Sequence, residues 1–327
     1  MTYPRLLSLL TFALIALFIA SLLVGVADMP IADSLKALFG GGEGPLPMVM
    51  REIRLPRALL GVMVGVSLGL SGAALQGYLR NPLAEPSVIG ISASAALGAV
   101  IALQSGFAAL FALALPLAAL VGAAICVVLI LLLAGSGGTL SLILAGIAVS
   151  ALSSALTALV LNLSPNPFAA NEIIFWMMGS LADRSFLHVW MALPIMALGW
   201  GLVALTGRGI DRLTLGEEAA ASMGVNLKHL RLILVGGVAA SVGAATAVAG
   251  AVGFVGLVVP HILRPLVGAR PARLLLASAL GGAILVLTAD VAVRLILPGR
   301  DLKLGVLMAL VGAPVFFHLI WRMRGRS

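Results

Sequence analysis

Charge is scarce in this chain. Asp, Glu, Lys and Arg make up only 10% of its 327 residues, against the roughly 25% of an average soluble domain. That scarcity leaves no room for a separate soluble domain. A single cysteine, Cys126, lies inside an apolar run, so no intrachain disulfide can form and the redox compartment is not legible. No apolar run carries the set of Asp, Glu, His or Lys that a proton-driven carrier needs, and no nucleophile and base stand at catalytic spacing. His261 invites a metal or proton-relay role, but no second His, Cys or carboxylate stands at ligand spacing beside it. No metal site is expected. A secondary transporter or an intramembrane enzyme would each need residues of these kinds.

Hydrocarbon is what the chain has instead: 61% of its residues are hydrophobic and its mean hydropathy is +1.18. With about 20 apolar residues to a span, hydropathy marks ten, near 6–27, 56–78, 87–104, 108–134, 139–161, 189–206, 229–249, 251–267, 272–294 and 304–321. The expected fold is an all-α polytopic membrane protein, one domain over 1–327. Asp28 and Pro30 follow the first run where a small-residue cleavage site would be wanted, so it reads as a retained helix. Ten spans put both termini on one side, which carries 12 of the 20 basic residues and 4 of the 12 acidic ones. By that excess the termini are cytoplasmic.

The longest polar stretch, 208–231, holds seven of the chain's 32 charged residues and falls on the same side. Thr214 and Glu217 have the spacing of a capping box, Leu215 to Met223 reads as a short Ala-rich helix, and Gly224 suits a left-handed end. Leu215, Ala219 and Met223 share one face, so the helix could rest on the membrane surface or meet a partner. Gly61, Gly65, Gly69 and Gly72 form a small-residue face fit for close helix packing. A shift of 178 positions superposes Gly65 on Gly243, Gly72 on Gly250, Pro82 on Pro260 and Gly90 on Gly268, which suggests an internal repeat. Between spans, Arg80 to Pro86 is a rigid turn with two prolines, and Gly135 to Thr139 is a glycine-rich turn without a phosphate-binding lysine. On the opposite side stand Arg51, Arg54 and Arg57, then Arg294, Arg300 and Lys303, which suit either headgroup anchoring or a carboxylate-bearing partner. Asp290 and Arg294, four apart, are placed to pair.

The stretches RLPR (54–57), SGAALQGYLRNPLAEPSVIGIS (71–92), LILAGIAVS (142–150), WMMGSL (176–181), LGEEAAASMGV (215–225), AGAVGFVGLVVPHILR (249–264) and LGVLMALVGAPVFF (304–317) resemble the FecCD-type permeases of ABC importers for cobalamin, iron-siderophore and haem. The resemblance runs from the second span almost to the C-terminus. It implies ten helices per subunit, a homodimer in the bacterial inner membrane, two cytoplasmic ATPase subunits that carry the ATP and Mg, and a periplasmic substrate-binding protein. It implies no catalytic site, no cofactor on this chain and no nucleic-acid partner; membrane lipid surrounds the rest. The resemblance assigns ATPase coupling to short cytoplasmic helices around Leu215, Gly216, Glu217, Glu218, Ala219, Ala220, Ser222, Met223 and Gly224. Binding-protein docking would fall to Arg54, Arg57 and Arg294. The cytoplasmic gate and turns would lie at Ser136, Gly137, Gly138, Thr139, Asn81 and Pro82. Where the family reads Leu-Pro before the last span, this chain has Leu302-Lys303-Leu304, which changes the charge and rigidity of that rim. Which substrate is carried, ferric siderophore, haem or cobalamin, is not written in the small and apolar residues of the spans.

Overall fold

The computed structural model describes residues 2–25, 30–39, 41, 44–135, 137–164, 167–296 and 302–324, and these contain helices and turns but no strand. In order the helices are α1 (Tyr3–Leu23), α2 (Ile31–Leu38), α3 (Leu46–Met48), α4 (Leu55–Tyr78), α5 (Ile91–Gln104), α6 (Ala114–Ala134), α7 (Thr139–Asn162), α8 (Pro167–Met177), α9 (Phe186–Leu205), α10 (Gly207–Leu213), α11 (Glu217–Ser222), α12 (Leu227–Ala249), α13 (Val255–Leu263), α14 (Pro271–Ile296) and α15 (Leu304–Arg324). Among the described residues seven helices are long and apolar enough to cross a membrane, and three shorter apolar ones, Ile91–Gln104, Val255–Val267 and Leu304–His318, complete ten. All ten coincide with the hydropathy spans.

Helices α4, α12 and α14 are buried over most of their length, whereas most residues of α1, α6, α7 and α9 are exposed or half-buried. The outer helices present Phe12, Leu132, Leu144, Trp190 and Leu198 outward, the surface expected where lipid is the solvent. Helix α4 is the axis. It runs antiparallel to α14, from Arg57 beside Asp290 at one end to Gly77 beside Pro271 at the other. Between those ends the backbones touch: a Cβ on Gly65 or Gly69 would run into the main chain at Ala283 or Ser278. Gly98 against Gly122 does the same for α5 and α6, and Gly199 against Ser241 for α9 and α12. Small residues bring helices this close where no hydrophobic effect drives them together. The few polar side chains pair across helices, Ser71 with Ser241 at 3.0 Å, Ser94 with Ser153 at 2.7 Å, and the Trp200 indole N–H donating to Ser67 at 2.8 Å.

The suggested repeat survives in part. Gly90 and Gly268 both take left-handed backbone at the end of a single 3-10 turn, Pro86–Ile89 and Arg264–Val267. Gly65 and Gly243 both lie buried inside a helix, but the remaining two pairs diverge: Gly72 packs within α4 on Gly256, while Gly250 ends α12 at φ +72, and Pro82 lies in a connection while Pro260 is inside α13.

Candidate functional site

The insert folds as two short helices set at the end of the bundle. Thr214 does not cap the second of them. Its hydroxyl bonds back to the Asp211 carbonyl at 2.6 Å, closing α10, and Gly216 at φ +105 begins α11 with no side-chain cap. The expected nine-residue helix is therefore only Glu217–Ser222, because a residue without φ restriction was available to break the chain just after Leu215. Gly224 takes the expected left-handed form at φ +83. Asp211 also accepts the Ala272 N–H at 2.8 Å, tying α10 to the first turn of α14.

Its faces divide the insert residues. Ala220 is fully buried and Glu217 half-buried, while Leu215, Glu218, Ser222, Met223 and Gly224 are exposed; Gly216 and Ala219 lie between. Leu215 is 70% exposed, a large apolar side chain standing off a polar surface. The outward face is thus Leu215, Glu218, Ser222 and Met223.

The inward face meets the glycine-rich turn. Thr139, first residue of α7, donates its hydroxyl to Glu217 Oε1 at 2.5 Å. Buried Arg231, one turn into α12, donates to the carbonyls of Gly137 and Gly135. Tyr78, Gly138, Leu227 and Lys228 help enclose a cavity of about 240 Å³ around these groups. Ser136 lies outside the described residues. Asn81 and Pro82 sit nearby in the α4–α5 connection, where the Asn81 side chain accepts the Leu83 N–H at 2.9 Å and Arg80 takes φ +50.

Two further polar groups were not singled out by sequence. Gln76 donates to the carbonyls of Gly256 and Leu257 and accepts from Arg264 at 2.6 Å, joining the α4 motif to the α13 motif. Glu85 accepts the N–H of Phe254, a left-handed residue (φ +68) that starts α13. Burial pushes the Glu85 carboxyl up, against the opposing pull of hydrogen bonds from Phe254 and Ser87. A lone carboxylate between two prolines, in a connection flanked by apolar spans, was the available signal.

At the far end the three arginines are all engaged within the chain. Asp290 is 1% exposed and receives Arg57 at 2.8 Å and Arg294 at 2.7 Å. The expected pair is therefore a triad. Arg294 also donates to the carbonyls of Ser21 and Val24, and Arg54 to those of Leu22 and Leu23, so both close the end of α1. Arg57 keeps 19% of its side chain exposed. Arg300 lies outside the described residues. Among them, no three His, Cys, Asp or Glu side chains come together. His261, Lys303 and Arg54 make further contacts of their own.

Comparison with known proteins places this arrangement. The profile of the FecCD transport family matches residues 13–322. The chain is 37% identical to the Fe(3+) dicitrate transport system permease protein FecD of Escherichia coli K12, over 96% of this chain and 98% of that one. It is 38% identical to the vitamin B12 import system permease protein BtuC of Klebsiella pneumoniae, covering 97% and 94%. It is equally 38% identical to the hemin transport system permease protein HmuU of Yersinia pestis, covering 98% and 97%. A solved structure described as an inward-facing metal-chelate type ABC transporter superposes with a TM-score of 0.86 at 31% identity, covering 98% of this chain and 99% of that one.

Proposed function

The chain belongs to the FecCD transport family, and from that premise we propose that it is the membrane-spanning subunit of an ABC importer for a ferric chelate. The observation that supports the importer part of this reading is the family match over residues 13–322, together with near full-length similarity to permeases of iron-citrate, B12 and hemin systems. Permeases for ferric citrate, vitamin B12 and hemin all stand among the relatives, and of these classes an iron compound, ferric siderophore or haem, is the substrate proposed, with cobalamin as the alternative. Two copies of the chain would enclose the path in a bacterial inner membrane, with the termini and the insert cytoplasmic, the side to which its basic excess points.

A pair of ATPase subunits holding ATP and Mg would press on the outward face of the insert, where Leu215, Glu218, Ser222 and Met223 are exposed. A substrate-binding protein would dock at the far end, its carboxylates competing with Asp290 for the open edge of Arg57; Arg54 and Arg294 would support that edge from behind. The chain itself would supply positions and a path, not a reaction. Closure of the ATPase pair would then switch the permease between states open to either side.

The test is uptake into proteoliposomes holding this chain, its ATPase and its binding protein, with ferric siderophore, haem and cobalamin offered separately. Uptake of an iron compound only with ATP is the expected result. Uptake driven by an ion gradient without ATP would return the chain to the secondary carriers. Glu218→Lys is expected to weaken co-purification of the ATPase, because it reverses a charge on the exposed face; undiminished co-purification would remove Glu218 from that contact.

A further inference from the structure

The insert carries two adjacent glutamates, and the fold sends them in different directions. Glu218 is exposed on the outward face, while Glu217, first residue of α11, turns inward to the first residue of α7. The acceptor is a carboxylate, and the donor is the Thr139 hydroxyl at 2.5 Å, a hydrogen bond of the charge-assisted kind, stronger than one between neutral groups. Arg231 holds the same turn from the other side through the carbonyls of Gly137 and Gly135. Gly135 has φ +49 and ψ −131, a backbone open to glycine and strained for other residues. The turn is thus gripped at three polar points by the insert and the start of α12.

The start of α7 is held by apolar packing as well as by these polar bonds. Leu140, the next residue, is 69% exposed, whereas Leu142 is fully buried in the core. Movement of the insert has a direct route to α7 through the bond between Glu217 and Thr139.

We propose that Glu217 is a positioning residue that joins the insert to the first turn of α7, so that a displacement of the insert is delivered to α7 through the Thr139 hydroxyl. This rests on the importer reading above. It separates two duties within one six-residue helix: the outward face receives the ATPase, and Glu217 passes the motion inward. Arg231 keeps the turn from yielding as it is pushed.

The experiment uses the full complex in proteoliposomes and reads three quantities: ATPase co-purification, ATP hydrolysis and substrate uptake. Thr139→Val removes the hydroxyl at nearly constant shape and is expected to lower uptake per ATP about tenfold, the loss of one such bond, with co-purification unchanged. Thr139→Ser, which keeps the hydroxyl, is expected to restore the ratio. In a Cys126→Ser background, Thr139→Cys with Glu217→Cys should transport poorly until a short bis-thiol reagent links the two positions, which restores uptake. An unchanged ratio in Thr139→Val, failure of Thr139→Ser to restore it, or arrest of transport by the cross-link would each overturn the proposal. The unsubstituted complex is the reference: if it shows no ATP-driven uptake, both this inference and the importer reading fall, whereas normal uptake beside an indifferent Thr139→Val sinks the inference alone.

Discussion

Removing the Asp290 carboxylate is the most informative perturbation of the far end. The side chain is 1% exposed and accepts three hydrogen bonds from Arg57, at 2.8 to 3.2 Å, and one from Arg294 at 2.7 Å. Asp290→Ala would leave two guanidinium groups facing each other across the α4–α14 contact without their anion. Breaking a buried pair by deleting one partner costs about 3–5 kcal/mol. Arg57 offsets part of that because its side chain is 19% exposed and can turn toward water. Arg294 cannot turn in the same way, since it is 7% exposed and also closes α1 through Ser21 and Val24. The lower end of the range, about 3 kcal/mol, is therefore expected, a shift of roughly two powers of ten in the unfolding equilibrium. Folded fraction against increasing SDS mole fraction in mixed micelles would read it. A second variant sharpens the reasoning: Arg57→Met with Asp290→Asn removes one cation along with the anion and should recover part of the loss, because the remaining Arg294 keeps its carbonyl partners. An Asp290→Ala protein as stable as the unsubstituted one would refute the account of the triad as a structural clamp.

Glycine substitutions test the helix contacts. Gly69→Ala places a methyl group against the Ser278 carbonyl of α14, whereas Gly201→Ala on α9 meets nothing within 4 Å. Gly69→Ala should destabilise by about 1–3 kcal/mol, and Gly201→Ala should be neutral or stabilising by up to about 1 kcal/mol; equal effects in the same SDS titration would contradict the close approach of α4 and α14.

The ten spans were legible because hydrocarbon runs of that length have one physical outcome in a protein with so little charge. Asp290 with Arg294 was legible from a spacing of four along a helix. Arg57 joins them from 233 positions away in the chain, and no local rule finds such a partner. The insert was legible as a compact folded segment, but its cap was misread: the Thr214 hydroxyl has a nearer carbonyl at Asp211, and Gly216 starts the second helix by its φ alone. The face expected of Leu215, Ala219 and Met223 holds only in part, since Leu215 and Met223 are exposed together with Glu218 and Ser222 while Ala219 is half-buried. A six-residue helix has too few positions for a periodic face, and its orientation is set by what Ala220 and Glu217 meet after folding.

The distribution of polar contacts bears on how such a bundle can move. Ionisable side-chain contacts stand at the two ends, at Asp290 with its arginines and at the Glu217 and Arg231 grips, and where Glu85 meets Phe254 and Arg264 meets Gln76, while the α4–α14 contact between its ends is held by glycine backbones. Sliding the small-residue faces of α4 and α14 along each other exposes no charge to hydrocarbon, so that contact can shift without the desolvation penalty that a buried ion would impose. The ends are different: a motion that separates Glu217 from Thr139 must break a charge-assisted bond. Rearrangement by units that keep their polar grips and slip along their glycine faces is therefore the least costly route. That division makes the α7 start, tied to the insert through Glu217 and Thr139, an element placed to respond to force applied outside the membrane.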